Sequence, residues 1–293
     1  MKTILLLLAI SLGILLPYGH DYTFLIRYFL MIMLFFSFLD VRIEKKIIRK
    51  THFIITATII LSSVAVYLLL KPFSVVLAQA AFITSIAPTA IAAPVIISLR
   101  KKNVEYVTFS LVLNNIVIAL LIPFLLSALM QSDLEISFIE ILIPVIITLS
   151  VPFAAAQIIK FILPGLWKRL VGLKDSSFYI LILNIYIASS DASYYIRSEL
   201  TGDIGIVFYI ALTSAGLCAF LFLLGWFIGG KEFPAEASQS LGQKNNAFTI
   251  WIALTFINPL TALGPVFYVF IQNVYISWEL YRHHVSAKAK TIE

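Results

Sequence analysis

One polar run stands out in an otherwise oily chain: Ser238-Gln239-Ser240-Leu241-Gly242-Gln243-Lys244-Asn245-Asn246. Hydroxyls, amides and one ammonium supply donors and acceptors but no activated nucleophile. Their chemistry is non-covalent: coordinating an ion, holding a polar substrate, or supplying a fixed charge. Two amide pairs, Asn114-Asn115 and Gln272-Asn273, sit in the middle of other apolar runs. Two readings stand for each pair: hydrogen bonding between helices, or ligand binding. The fourth apolar run carries Pro88 and Pro94 around small and hydroxyl residues. Each proline removes a backbone donor and clashes with the preceding turn, so an unwound stretch is expected there.

Catalytic constellations are missing. His20, His52, His283 and His284 fall at the ends of apolar runs or in the C-terminal tail, and no triad, metal cluster or carboxylate pair assembles. The one cysteine, Cys218, lies inside an apolar run and reads as a small packing residue. No phosphate-binding Gly-rich Lys-Ser/Thr loop is present. The sequence therefore implies no enzyme, no cofactor and no resident metal.

These residues sit in a frame that composition defines. The 293 residues are 61% hydrophobic and 12% charged, with a mean hydropathy of +1.00. Soluble domains carry about 25% charged residues. An ordinary soluble fold is excluded, and so is disorder, which requires low hydrophobicity. A spanning helix needs roughly 20 residues. Ten candidate spans follow: 3–18, 22–40, 51–70, 73–98, 104–130, 138–163, 177–196, 204–230, 237–257 and 259–281. The first resembles a signal peptide, but with no small-x-small cleavage pattern before Tyr18 it reads as an uncleaved span.

Charge sets the orientation. With both termini cytoplasmic, all 21 basic residues except Arg27, Lys71, Arg197 and Lys244 fall on the inner side. The outer side collects Asp21, Asp133, Glu135, Asp191, Glu199 and Asp203. This is the asymmetry of an integral protein of the cell membrane, and it accounts for the net charge of +6 without nucleic acid. Arg27, five or six residues from Asp21, has two readings, snorkelling outward or binding substrate, and the first is expected. Asp191 is expected at a solvated loop start at the outer end of span seven. Gly225 and Gly229 read as a helix-packing motif, and Thr58, Ser62 and Ser63 as hydroxyls bonded within their own helix.

The two interrupted spans are the fourth and the ninth, each the fourth of a five-span half. The amide pairs lie in the fifth span of each half. Five spans per half invert one half against the other. The expected fold is thus all-α, with ten transmembrane helices in two inverted five-helix repeats, 1–130 and 138–281, and a tail at 282–293. It forms one integrated membrane domain with discontinuous helices 4 and 9. Paired broken helices in inverted repeats are the sequence pointer to a transporter's central site.

The stretch Gly242 to Ala247, the apolar run with Pro259 and Pro265, and Tyr275-Ile276-Ser277-Trp278 resemble the bile acid:sodium symporter family. Met31 to Leu39 resembles that family's early Ile-Met-Phe helix, and Pro88 to Val95 its Pro-Gly-Gly-Thr-Ala-Ser-Asn-Val crossover. Asn103-Val104 with Pro123 matches the next helix in spacing. The resemblance implies a secondary transporter of small organic anions, working by alternating access. It also implies sodium ligands, and here the residues depart. The ninth-helix Glu position is Ser240, and the Gln position is Lys244. The crossover Ser-Asn is Ala93-Pro94, and 51–70 holds no Gln or Glu. Asn115 alone falls near a hydroxyl ligand position and retains an oxygen.

The two sodium sites are therefore not expected; the alternatives are a sodium- or proton-coupled symporter with a rearranged ion site, or a membrane receptor that does not transport. Three readings of Lys244 stand: its ammonium takes the place of the bound cation, it snorkels or pairs with Glu236, or its protonation couples transport to protons. The related arsenite exporters use a cysteine in span four, which this chain lacks there. The expected site comprises Ser240, Lys244, Asn245, Asn246, Asn114, Asn115, Gln272, Asn273, Pro88 and Pro94. Its expected partners are an anionic small molecule and the bilayer.

Overall fold

The computed structural model describes residues 2–39, 48–129, 138–173, 176–198 and 204–292, with side chains described for 4–39 and up to Arg282 in the last segment. Arg42, Lys45, Lys46, Asp133, Glu135, Lys174, Glu199 and Asp203, used above to orient the chain, lie outside the described residues. So do the side chains of Lys2, His283, His284, Lys288 and Lys290.

The described residues form thirteen α-helices and no β-strand beyond one isolated bridge. In order they are α1 (Lys2–Leu15), α2 (Leu25–Phe38), α3 (Lys50–Leu70), α4 (Val75–Ile86), α5 (Ala93–Leu99), α6 (Val104–Leu129) and α7 (Phe138–Ile162). Then follow α8 (Pro164–Gly172), α9 (Ser177–Ser198), α10 (Gly205–Gly229), α11 (Pro234–Gly242), α12 (Asn246–Phe256) and α13 (Pro259–Ile292).

Five helices are long and apolar enough to cross a membrane: α3, α6, α7, α10 and the Pro259–Arg282 part of α13. The bent pair α8 and α9 adds a sixth if taken as one span. Shorter apolar helices include α2, α4 and α12. At 1.5 Å per residue, α4 rises only about 18 Å, well short of a hydrocarbon layer of about 30 Å. The outward surface is apolar: Leu61, Leu69, Phe124, Phe161, Phe208 and Phe227 are all exposed. So many exposed large apolar side chains suit contact with something other than water.

The helices pack as two groups. In one, α1 lies on α9, α2 on α7, and α2 on α9. In the other, α3 lies on α4 and α6, α10 on α11 and α13, α5 on α6, and α12 on α13. Cross-packing of α4 on α10 and α13, and of α11 on α3 and α6, ties this second group together. The groups meet along a seam where α12 touches α2 and α9, and α13 touches α1 and α9.

Several expectations are corrected. Residues 164–172 are not loop but the amphipathic helix α8, whose Trp167 Nε1 donates to the Leu39 carbonyl at 2.8 Å. The ninth run starts at Pro234 rather than 237. Asp191 lies inside α9, which continues to Ser198. The last turns of α9 are held because Ser193 and Arg197 both donate to the Ile14 carbonyl of α1. The apolar helix after Pro259 continues through Ile292.

Arg27 does not snorkel outward. It turns into the protein, donating through Nε to Thr148 Oγ1 on α7 at 3.0 Å and lying 5.8 Å from the Trp251 ring on α12. An acceptor and an aromatic face supplied by distant helices outcompete the interface.

The packing readings of the small residues hold. A Cβ on Gly225 would come within 2.7 Å of the Ala237 carbonyl, and one on Gly229 within 2.7 Å of Pro234 Cα. These glycines let α10 and α11 touch backbone to backbone. Thr58, Ser62 and Ser63 each donate within α3.

Candidate functional site

Both expected interruptions are real and they meet. The helix beginning at Val75 stops at Ile86 and restarts at Ala93; the one beginning at Pro234 stops at Gly242 and restarts at Asn246. The two breaks run antiparallel, with Thr89 bridged to Lys244. Ala90 N donates to the Gln243 carbonyl at 2.7 Å, and Asn245 N donates to the Pro88 carbonyl at 2.8 Å. Each break supplies the backbone partners that the other lost by unwinding. That satisfies the requirement that buried irregular backbone find partners within the protein.

The amide pairs flank this crossing. Asn114 Nδ2 donates to Thr89 Oγ1 at 2.7 Å, and Asn115 Nδ2 donates to the Thr89 carbonyl at 3.1 Å. On the other side Gln272 Oε1 accepts from Lys244 N at 2.8 Å. Asn114 and Gln272 thus hold the central residues of the two breaks. Asn273 only donates back to the Val269 carbonyl of its own helix, as Asn115 also does to Leu111. Pro88 contributes its carbonyl, while Pro94 occupies the first turn of α5, where a missing N–H costs nothing.

Lys244 is 1% exposed. Its Nζ donates to the Ser85 carbonyl at 2.9 Å. Ser85 lies in the last turn of α4, where carbonyls lack intrahelical partners and the helix end is partially negative. Glu236 is not its partner: Glu236 Oε1 accepts from Asn103 N at 3.0 Å instead. The pairing alternative for Lys244 therefore fails.

Around the second break four buried polar atoms have no partner among the described residues: Ser240 Oγ, Gln243 Oε1, Asn245 Nδ2 and Asn246 Oδ1. Buried polar atoms are nearly always satisfied, by protein groups, by ordered water or by a ligand. Two amide oxygens, one amide nitrogen and a hydroxyl suit polar binding rather than bond-making.

Four residues of the crossing were not singled out from sequence. Thr89 Oγ1 donates to the Ser240 carbonyl at 2.5 Å. Thr56 Oγ1 donates to Asn114 Oδ1 at 2.6 Å. Tyr268 donates to the Gly242 carbonyl at 2.6 Å, and Ser85 accepts from Lys244. A signal for Thr89 was present, since it sits in the first break as Lys244 sits in the second. Nothing marked Thr56 apart from its neighbouring hydroxyls, all of which bond within their own helix.

A second polar cluster lies at the other ends of these helices. Arg100 Nη1 pairs with Glu279 Oε1 at 2.6 Å, and Gln239 Nε2 donates to Glu279 Oε2 at 2.7 Å. Along the seam, a cavity of about 330 Å³ opens between α1 and α9 on one side and α10 and α13 on the other. Ile10, Ile14, Ser189, Arg197, Leu263 and Phe267 help line it. No group of three or more potential metal ligands occurs among the described residues.

The chain matches no protein-family model, and no curated protein matches it.

Proposed function

We propose that the chain is a secondary transporter of small organic anions, embedded in the cell membrane and working by alternating access. In this reading it has ten spans in two inverted five-span repeats, with both termini cytoplasmic. It is a divergent relative of the bile acid:sodium symporters that has replaced their sodium sites. The observation carrying the reading is the crossing of two broken helices through Thr89 and Lys244, with unpartnered buried polar atoms beside it.

The packing pattern supports two equivalent halves. Pair α1 with α7, α2 with α9, α3 with α10, α4–α5 with α11–α12, and α6 with α13. Exchanging the halves turns the contact of α1 on α9 into that of α7 on α2. It likewise turns α3 on α4 into α10 on α11, α4 on α13 into α11 on α6, and α5 on α6 into α12 on α13. A pseudo-two-fold relation of this kind gives two near-equivalent arrangements, which is what alternating access requires.

The coupling follows from Lys244. Its ammonium, held on the α4 C-terminus, supplies the positive charge that a bound sodium ion would otherwise bring. Ala93 and Pro94 offer no side-chain oxygen at the crossover positions. Transport is therefore independent of sodium.

Counterflow of labelled carboxylates into proteoliposomes tests the reading. Uptake against an unlabelled internal pool, unchanged when sodium is replaced by choline, is the expected result. Strict sodium dependence would sink the internal-cation account. Saturable binding with no flux would instead make the protein a receptor.

A further inference from the structure

Arg27, like Lys244, is a basic side chain inside an apolar stretch, and the crossing does not use it. A guanidinium has five N–H donors in a rigid plane. Thr148 Oγ1 takes the Nε proton, and Thr148 itself is fully buried on α7. The two terminal nitrogens have no hydrogen-bond partner among the described residues. Carboxylates there pair with His20, Arg49 and Arg100, but none with Arg27. Its Cζ lies 5.8 Å from the centre of the Trp251 ring, which is 97% buried on α12.

The position matters as much as the charge. Arg27 and Thr148 belong to the first helix group, Trp251 to the second, so the guanidinium stands in the seam between them. Trp251 is five residues along α12 from Asn246, about 7.5 Å of helix rise from the crossing. An anion that reaches the guanidinium fork meets two nitrogen donors without protein partners among the described residues. An intramembrane charge is expensive, and one held in place by a buried hydroxyl with its fork left open is a binding device by default.

We propose that Arg27 is the carboxylate-recognition residue of this protein. Its two free nitrogens clamp a carboxylate while the guanidinium stays over the Trp251 ring. Thr148 is a positioning residue that sets the plane of the fork. The proposal rests on the transporter reading for the route by which the ligand arrives, but binding is measurable on its own.

The test uses the full chain in lipid nanodiscs, titrated with acetate, hexanoate and benzoate and with the corresponding uncharged amides. At least one carboxylate is expected to bind, and its amide is not. Arg27→Gln is expected to weaken that carboxylate tenfold or more, with Arg27→Lys recovering part of the loss. Should Arg27→Gln fail to fold, Thr148→Val is expected to weaken binding three- to tenfold. Unchanged affinity in the folded variant overturns the proposal, as does equal binding of acid and amide, or binding of none of the three acids. Counterflow with the bound acid separates the two readings. Binding that depends on Arg27 without flux removes transport and keeps the recognition residue. Flux with an unchanged KM in Arg27→Gln keeps transport and removes Arg27.

Discussion

Replacing Lys244 with Met separates a structural lysine from a functional one. The side chain is 1% exposed and its ammonium has the Ser85 carbonyl at 2.9 Å as its hydrogen-bond acceptor. A lysine at mid-bilayer costs about 2.5–3.5 kcal/mol on the insertion scale. Its charge-assisted hydrogen bond contributes about 1.5–3 kcal/mol. The two nearly offset, and Met fills a similar volume with an unbranched apolar chain. Lys244→Met is thus expected to leave stability within about 1 kcal/mol of wild type, or roughly 2 °C in Tm. Flux should fall below a tenth of wild type, because the fixed charge at the crossing is gone. Thermal unfolding in detergent and counterflow in proteoliposomes give the two numbers. A loss beyond about 3 kcal/mol would make Lys244 a structural strap, of the kind seen when a buried pair is broken. Wild-type flux in a stable variant would refute the role assigned to its charge.

Three more outcomes follow from named contacts. Glu279→Gln leaves Arg100 buried without its counter-charge and should cost about 3 kcal/mol in thermal unfolding, whereas Glu232→Gln, at the exposed pair with Arg49, should cost under about 1 kcal/mol. Gly225→Val drives a side chain into the Ala237 carbonyl and should destabilise by about 1–3 kcal/mol; an unchanged Tm would mean that α10 and α11 do not touch there. In a Cys218→Ala background, a membrane-impermeant maleimide added to intact cells should label Lys71→Cys and spare Lys101→Cys. The opposite pattern would invert the topology. Both lysines are exposed and Cys218 is buried.

Much of this architecture was legible. The runs 51–70, 104–130, 138–163 and 204–230 agree with α3, α6, α7 and α10 within a residue or so at most ends, because an apolar stretch between polar breaks has few other solutions. The polar stretch at Ser240–Asn246 could not face lipid, and its burial follows from that alone. Arg27 was misread for a complementary reason. Its own segment shows a basic residue near an acidic loop, while Thr148 and Trp251, which capture it, lie 121 and 224 positions away in the chain. The helix α8 was missed because nine residues with Lys168 and Arg169 look like an inner loop until Leu166, Trp167 and Leu170 are placed on one face. The partner of Lys244 was equally invisible, since a helix-end carbonyl carries no side-chain signature.

Prolines mark the boundary between the two kinds of information. Pro88 accompanies a break, yet Pro123 sits inside continuous α6, Pro144 and Pro152 inside α7, and Pro265 inside α13. By itself the sequence determined that the chain is oily and helical, that its polar groups concentrate at a few depths, and that two of its runs carry the residues of an interruption. Which prolines end a helix was decided by tertiary structure. Unwinding releases backbone donors and acceptors that the surrounding apolar helices cannot satisfy. Only where a second break lies opposite do they find partners, as Pro88 finds Asn245 and Ala90 finds Gln243. The crossing exists because two segments 155 residues apart, each incomplete alone, complete one another at Thr89 and Lys244.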